Sequence, residues 1–141
     1  MIEATYPVKH VLEKRIGDPW GSGEFGAPRG TRTHKGIDYT CPVGAVIHTP
    51  VSGKVTKLGY PYSDDLTFRY VEITDKDDAR HRLFYVSPTV EKGDIVQAGE
   101  SVGIQQDISG RYRDDNKPPM INHCHYEILL TDGTPINPEG A

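Results

Sequence analysis

The stretch NHCHYEILL, residues 122–130, alternates polar and apolar side chains, and it decides the fold that we expect for this chain. Residues two apart in a β-strand point to the same face of a sheet, so this alternation is typical of a strand with one buried face. We predict a strand from His123 to Leu130, with an apolar face on the core and the histidines facing outward. The outward face carries His123, His125 and Glu127, and the core face carries Cys124, Tyr126, Ile128 and Leu130.

In the rest of the chain, turn-forming residues are spaced as they are in an all-β protein. Fifteen glycines and eleven prolines are spread at intervals along the 141 residues and separate many short strands. A chain of this length fits one compact domain with a modest core. Besides the strand above, we predict strands at 36–40, 45–49, 53–60, 67–75, 80–87 and 101–105, and loops at 61–66 and 107–121.

A second motif, HKGID at residues 34–38, contributes a histidine and an aspartate. A catalytic zinc site takes three protein ligands from His, Asp, Glu and Cys and leaves the fourth position open. His34, Asp38 and one histidine of the HCH motif would supply three ligands. The other histidine would then stand beside the open position, where it could move a proton or stabilise an oxyanion. Single histidines are also ordinary surface residues, so neither motif alone establishes a metal site.

The motifs FGAPRG, HKGID, CPVGAVIHTPVSGKV, VEKGDIVQAGESVG, NHCHYEI and DGTPINP follow one another between about residues 24 and 139. In content and order they resemble the LytM/lysostaphin-type zinc endopeptidases, peptidase family M23. The resemblance implies one domain over residues 24–141, with an antiparallel β-sheet groove, after an N-terminal arm at residues 1–23. It implies one zinc ion per chain, held by His34, Asp38 and His125. It makes His123 the catalytic histidine and implies cleavage of peptide crosslinks in bacterial peptidoglycan.

One active-site histidine of that family has no counterpart in this chain. Members carry it in a YxHL-like strand before the GD turn, whereas this chain reads HRLFYVSP at residues 81–88, with Val86 at the matching position. His81 lies nearby, but strand alternation turns it to the face opposite Val86. We therefore expect His81 to be a surface histidine. We also expect the wild-type protein to be a slow enzyme, unless another group or a bound water takes the place of the missing histidine.

Charge and hydropathy exclude several classes of partner. The formal net charge of −4 and the pI near 5.8 argue against nucleic-acid binding, which requires a concentrated basic face. No stretch is apolar enough for a signal-peptide core or a membrane span, so we expect synthesis in the cytoplasm and no membrane insertion. The expected partner is a peptidoglycan peptide, reached by a route such as that of a phage lysin or a virion component.

The sequence also supports expectations about the cysteines and about the loop residues. Cys124 lies on the apolar face of its strand, so we expect a buried thiol that does not pair with Cys41. The two loops would flank the groove, and their acidic pairs at 64–65 and 114–115 are best interpreted as solvated surface. Side chains available to contact a peptide, or simply exposed, are Tyr60, Tyr62, Arg111 and Tyr112.

Two alternatives to the enzyme remain open. A non-catalytic zinc-binding scaffold or wall-binding domain would keep the metal ligands without turnover, although structural zinc sites usually have a fourth protein ligand. A biotinyl or lipoyl carrier domain would use Lys76 in the TDKDD turn as its attachment site. The carrier hypothesis leaves the histidine motifs unexplained.

Overall fold

A computed structural model describes residues 28–29, 32–33, 36–109 and 122–138, which form twelve β-strands and no α-helix. The predicted arm at residues 1–23, the predicted ligand His34 and most of the 107–121 loop lie outside the described residues. Among the residues described, no helix is long and apolar enough to cross a membrane. The strands are β1 (Pro28–Arg29), β2 (Arg32–Thr33), β3 (Gly36–Thr40), β4 (Val46–His48), β5 (Gly53–Gly59), β6 (Tyr70–Thr74), β7 (Arg80–Phe84), β8 (Val86–Pro88), β9 (Ile95–Val96), β10 (Ser101–Gln105), β11 (His123–Leu129) and β12 (Pro135–Ile136).

The larger sheet has seven strands and antiparallel pairings. Its order is β12-β11-β7-β6-β5-β9, and β3 also pairs with β11. Along one edge of β11, β3 pairs with residues 123–127 and β12 pairs with residues 128–129. Since β7 pairs with residues 125–129 along the other edge, β11 is an interior strand of the sheet.

A smaller antiparallel sheet, in the order β4-β10-β8, contributes to the same hydrophobic core. Burying apolar side chains from two sheets against one another supplies the main driving force for such a fold. From the smaller sheet the core takes Ile47, Val86 and Val102, and from the larger sheet it takes Val55, Val71, Ile73, Leu83, Tyr126 and Ile128.

The predicted all-β architecture with antiparallel sheets is confirmed. The strands predicted at 36–40 and 101–105 have the observed bounds, and the others differ at their ends. The stretch predicted as one strand at 80–87 is two, because β7 ends at Phe84 and β8 begins at Val86. The two-residue strands β1, β2, β9 and β12 were not predicted, since two residues carry no periodicity.

The expectation that the His123 strand is half-buried is wrong. Every residue of β11 is buried, and the exposed fractions of His123 and His125 are 3% and 9%. Aromatic rings cover the histidine face, with Phe84 beside His125 and Tyr85 beside His123. Alternation assigned the two faces correctly, but a polar face can be buried when its groups find hydrogen-bond partners.

His81 is a core residue, so the expectation of a surface histidine is also wrong. Its buried ring has Nδ1 2.8 Å from the Tyr126 hydroxyl and Nε2 2.8 Å from Asp75 Oδ2. Burial lowers the pKa of His81, and the hydrogen bond to Asp75 offsets this only in part. The neutral ring therefore donates from Nε2 to Asp75 and accepts from Tyr126, which ties the β6–β7 turn to β11.

The cysteine expectation is confirmed, because Cys41 and Cys124 are both buried and unpaired. Burial raises the pKa of Cys41 to about 11 and raises the pKa of Cys124 well above the ordinary thiol value. Thiols of this kind are protonated at neutral pH and are poor nucleophiles and poor metal ligands.

Replacing His81 with alanine should lower the free energy of unfolding by about 3 kcal/mol, because Tyr126 and Asp75 lose a partner and a cavity forms behind β11. The control His48→Ala removes a half-buried ring that bonds to the Gly99 carbonyl and should cost ~1 kcal/mol. Urea unfolding at neutral pH measures both losses. Equal losses in the two variants would contradict the structural role of His81.

The hydrogen bonds of His81 also make the free energy of unfolding depend on pH. The folded-state pKa of His81 lies below the unfolded-state value of 6.5. The neutral ring therefore stabilises the fold above pH 6.5. This contribution is lost as the pH falls from 6.5 through the folded-state pKa. His81→Ala should therefore lose less stability than the wild type on acidification across this window.

Candidate active site

Two neighbouring strands bring together residues that the sequence predicts as metal ligands. In the β3–β11 register, Asp38 lies directly opposite His125, so the two side chains share one face of the sheet. Asp38 Oδ1 is 2.9 Å from His125 Nδ1. Both side chains are buried, so the carboxylate and the imidazole meet where water has little access.

The other ring nitrogen of His125 is held by Glu127, which lies two residues further along the same strand face. His125 Nε2 is 2.9 Å from Glu127 Oε1. Arg82, opposite Glu127 in β7, has Nη1 3.6 Å from Glu127 Oε2, and its Nε donates to Glu72 Oε2 at 2.8 Å. Thr56 donates to Glu72 Oε1 at 2.8 Å. This polar row, from Asp38 to Thr56, crosses β3, β11, β7, β6 and β5 and orients the His125 ring.

His123 lies on the same face at the beginning of β11. Its Nε2 is 3.6 Å from Asp38 Oδ2, so the Asp38 carboxylate lies between the two imidazoles. Gln105 Nε2 donates to the His123 carbonyl at 2.8 Å, which holds the backbone of β11 at this point. Three of the four predicted site residues, Asp38, His123 and His125, are therefore gathered in one place. The fourth, His34, lies outside the described residues.

Aromatic rings stand edge-on against both histidines. Phe84 and His125 have ring centroids 4.9 Å apart at 88°, and Tyr85 and His123 have centroids 5.4 Å apart at 88°. Consecutive strand residues normally face opposite ways. Here the rings of Phe84 and Tyr85 both reach the histidine face, because Tyr85 adopts a left-handed backbone conformation with φ of 69°.

This turn corrects the expectation about Val86. Val86 is fully buried in the core shared by the two sheets and does not face the histidines. The physical reason is the left-handed conformation of Tyr85, which interrupts strand alternation. As a result the side chain of Tyr85, and not that of Val86, lies on the histidine face. Tyr85 occupies the place beside His123 that the sequence assigned to position 86.

The remaining predicted contacts divide between the described and undescribed parts of the chain. Tyr60 is exposed and lies under the Arg69 guanidinium, whose Cζ is 4.3 Å from the ring centroid. Asp65 accepts a hydrogen bond from the Thr67 amide at 3.1 Å, and Lys76 is exposed in the β6–β7 turn. The predicted residues outside the described ranges are Arg111, Tyr112, Asp114 and Asp115.

The donor set at the Asp38–His125 pair suits zinc. Imidazole nitrogen and carboxylate oxygen are zinc ligands, and a carboxylate on the far nitrogen commonly fixes the orientation of a zinc-binding histidine. Glu127 makes that contact here. Within 36–109 and 122–138, no group of three His, Cys, Asp or Glu residues could hold a metal ion. The pair therefore fits as two of the three predicted ligands, and the third lies outside these ranges.

The pKa of His125 reflects its two carboxylate neighbours. Burial by itself lowers this pKa, but the hydrogen bonds and charges of Asp38 and Glu127 outweigh burial and raise it to about 9. The imidazole is therefore protonated at neutral pH in the metal-free protein. A metal ion that binds Nδ1 must displace this proton, so metal affinity should rise with pH.

Glu127→Gln should lower the pKa of His125 in the metal-free protein, because one of the two carboxylates that stabilise the imidazolium is lost. In the wild type, the protonated ring stabilises the fold below 6.5, and this contribution disappears as the pH rises from 6.5 through about 9. The variant should lose less stability over that window, by ~1 kcal/mol. Titration of the His125 ring by NMR in the presence of a chelator, together with urea unfolding, measures both effects.

The control is Glu91→Gln, which removes the charge of an exposed glutamate before the β9 turn. It should leave the His125 titration unchanged. If Glu127→Gln also leaves it unchanged, Glu127 does not contact the ring in solution.

This chain is similar to known proteins along most of its length. The sequence pattern of Peptidase family M23 matches residues 32–138. Leukocyte cell-derived chemotaxin-2 of Mus musculus is 29% identical over 119 residues, which cover 84% of this chain and 75% of the mouse protein.

Solved structures share the fold. A mutant catalytic domain of EnpA, a prophage-encoded M23 protein of Enterococcus faecalis, superposes with a TM-score of 0.68 at 22% identity, covering 98% of this chain and 95% of that domain. A zinc-containing peptidase from Vibrio cholerae gives a TM-score of 0.64 at 22% identity, covering 96% of this chain and 39% of that one. This chain thus spans about two fifths of the Vibrio cholerae protein.

The family pattern covers most of the sequence, and the matched stretch contains both histidine motifs together with the strands that position them. The antiparallel sheet also agrees with the fold of the solved relatives. We conclude that this chain belongs to peptidase family M23.

Proposed function

We propose that this protein is a zinc-dependent endopeptidase that cleaves peptide crosslinks of bacterial peptidoglycan. The observation that carries the proposal is the β3–β11 register, which sets Asp38 Oδ1 2.9 Å from His125 Nδ1 and leaves His123 on the same face. Family membership supports peptide-bond hydrolysis as the reaction class. The resemblance of the motifs to lysostaphin-type enzymes supports a peptidoglycan peptide as the substrate.

In this proposal His34, Asp38 and His125 hold one zinc ion per chain. When bound, zinc polarises the scissile carbonyl and lowers the pKa of the attacking water. Glu127 keeps the Nε2 side of His125 occupied, so that Nδ1 stays directed toward Asp38. Arg82 lies 3.6 Å from Glu127 and would balance its charge when His125 holds the metal as a neutral ring.

His123 moves the proton. Its Nε2 lies on the Asp38 side of the ring, where it can accept a proton from the attacking water or present N–H to the developing oxyanion. The ring is 3% exposed and Tyr85 covers one of its sides. Exclusion of bulk water strengthens electrostatic interactions at such a position.

The second candidate function is a non-catalytic zinc-binding scaffold or wall-binding domain. Two observations favour it. The mouse relative is named as a chemotaxin and not as a peptidase. Among the described histidines, His48 bonds to Gly99 and His81 lies in the core, so neither stands beside His123 as a second proton carrier. The carrier-domain alternative has lost its basis, because the stretches that suggested it lie within the M23 match.

The cellular setting is an extension of the same proposal. We expect synthesis in the cytoplasm and action on the cell wall as a phage lysin or a virion component. The EnpA relative is described as prophage-encoded, which is consistent with such a setting. The acidic net charge of −4 provides no general attraction to anionic wall polymers, so affinity for the wall must come from the groove.

One experiment separates the two functions. Purified protein, with and without a chelator, is incubated with sacculi of several chemotypes, and the released fragments are identified by mass spectrometry. New amine and carboxyl ends that appear only without chelator support the endopeptidase and identify the bond. Protein that sediments with sacculi and releases nothing supports the binding domain.

His34→Ala, Asp38→Ala and His125→Ala should each lower the zinc content from one per chain to nearly none, because two remaining ligands do not hold zinc tightly. Elemental analysis after dialysis measures the content. His48→Ala, which removes a histidine of the smaller sheet, is the control and should keep its zinc. Full zinc occupancy in all three ligand variants would overturn the ligand assignment.

His123→Ala should keep its zinc and its fold but lose ~10²–10⁴-fold in turnover, the usual contribution of a general acid or base. Cleavage of the crosslink peptide found in the sacculus assay measures turnover, and elemental analysis and circular dichroism measure metal and fold. His48→Ala again serves as the control. Cleavage by His123→Ala at the wild-type rate would show that His123 has no part in the chemistry.

A further inference from the structure

Tyr85 lies at the point where the chain leaves the larger sheet for the smaller one. β7 ends at Phe84 and β8 begins at Val86, so Tyr85 is the single residue between them. Its φ of 69° is left-handed. The amides of Tyr85 and Val86 both donate to the Arg69 carbonyl, at 2.8 and 3.1 Å, and fix this turn.

A left-handed conformation is costly for tyrosine. Contact between Cβ and the following carbonyl oxygen makes this conformation unfavourable for residues other than glycine. Residues in such conformations persist only where the surrounding structure holds them, and they are concentrated at active sites. Regular strand alternation would direct Tyr85 into the core and Val86 to the histidine face. The left-handed conformation reverses these two directions.

Four aromatic rings contact the Tyr85 ring, and one of them is that of Phe84, which lies edge-on at a centroid distance of 6.1 Å. His123 lies edge-on at a centroid distance of 5.4 Å, Phe68 lies edge-on at 6.3 Å, and Tyr62 is stacked at 6.3 Å with an interplanar angle of 16°. The Tyr62 and Tyr85 hydroxyl oxygens are 3.4 Å apart. The ring is therefore fixed in place beside His123, and the half-buried residue carries a hydroxyl that can donate a hydrogen bond.

We propose that the Tyr85 hydroxyl is a catalytic hydrogen-bond donor to the carbonyl oxygen of the scissile peptide bond; this rests on the proposed endopeptidase function. When the water oxygen bonds to the carbonyl carbon, the π electron pair of the C=O bond moves to its oxygen. Tyr85 stabilises that negative charge through its O–H without giving up its proton. A fixed donor aimed at developing charge is worth more than one that must reorganise. Tyr85 is thereby distinct from His123, which moves the proton of the water.

The test is Tyr85→Phe, which removes one oxygen and keeps the four ring contacts. In the zinc-loaded protein, kcat on the crosslink peptide should fall ~10²-fold, the usual cost of losing one oxyanion donor. KM, zinc content and the thermal midpoint should stay at the wild-type values. Ser87→Ala, which removes an exposed hydroxyl two residues away, is the matched control and should keep the wild-type kcat.

A binding measurement separates transition-state from ground-state effects. The probes are the crosslink peptide and its phosphinate, in which –PO₂–CH₂– replaces the scissile –CO–NH–. Tyr85→Phe should weaken phosphinate binding ~10²-fold in a calorimetric titration, in parallel with kcat. Peptide affinity, measured in a His123→Ala background to prevent cleavage, should not change when Tyr85→Phe is added.

The outcomes are distinguishable. A wild-type kcat in Tyr85→Phe, or an equal loss of affinity for peptide and phosphinate, overturns the role of Tyr85 and leaves the endopeptidase intact. A zinc-loaded wild type that cleaves no sacculus of any chemotype overturns the endopeptidase, and the role of Tyr85 with it. Selective loss of kcat and phosphinate affinity supports both.

Discussion

The pairing of β3 with β11 is the constraint on which the rest of the site depends. It sets Asp38 opposite His125, and a slip of one residue would turn one of these side chains toward the core. Asn122 fixes the entry to β11, where its Nδ2 donates to the Cys41 carbonyl at 2.8 Å and to the Gln106 carbonyl at 3.0 Å. At the other end Gly36 lies so close to β11 that a Cβ there would collide with the Tyr126 carbonyl. Hydrogen bonding at one end and steric exclusion at the other thus hold a single register.

Charge balance on the histidine face depends on that register in turn. Asp38, His125, Glu127, Arg82 and Glu72 form a row of alternating sign across four strands of the sheet. A buried ion is tolerated only when a counter-ion and hydrogen bonds replace its water. Each inner member of the row is therefore held by its neighbours on both sides, and the interactions that orient the ligands extend well beyond the residues that would touch a metal. The sheet supplies this order because side chains directly across a ladder share a face.

The sequence predicted the strands that carry the site better than it predicted their surroundings. Alternation in β11 and the HKGID motif placed Asp38, His123 and His125 together, because period-two patterning survives in any sheet that the strand joins. Glu127 was visible on the same face, but its contact with His125 depends on a rotamer that spacing does not specify. Burial of His81 and of the histidine face required knowledge of which strands flank β7 and β11. The left-handed turn at Tyr85 had no local signal, since glycine or asparagine is the usual residue in that conformation.

The Tyr85 turn also limits how this protein can diversify. One peptide unit both presents an aromatic ring to the histidines and delivers Val86 into the core. A substitution that relaxed the backbone at this position would alter the wall of the groove and the seating of the smaller sheet at once. Under the proposed endopeptidase function, new substrate preferences are therefore expected to arise in flanking loops, whose shape can change without repacking either sheet. Position 85 would tolerate few replacements in a library of variants selected for both folding and the proposed activity.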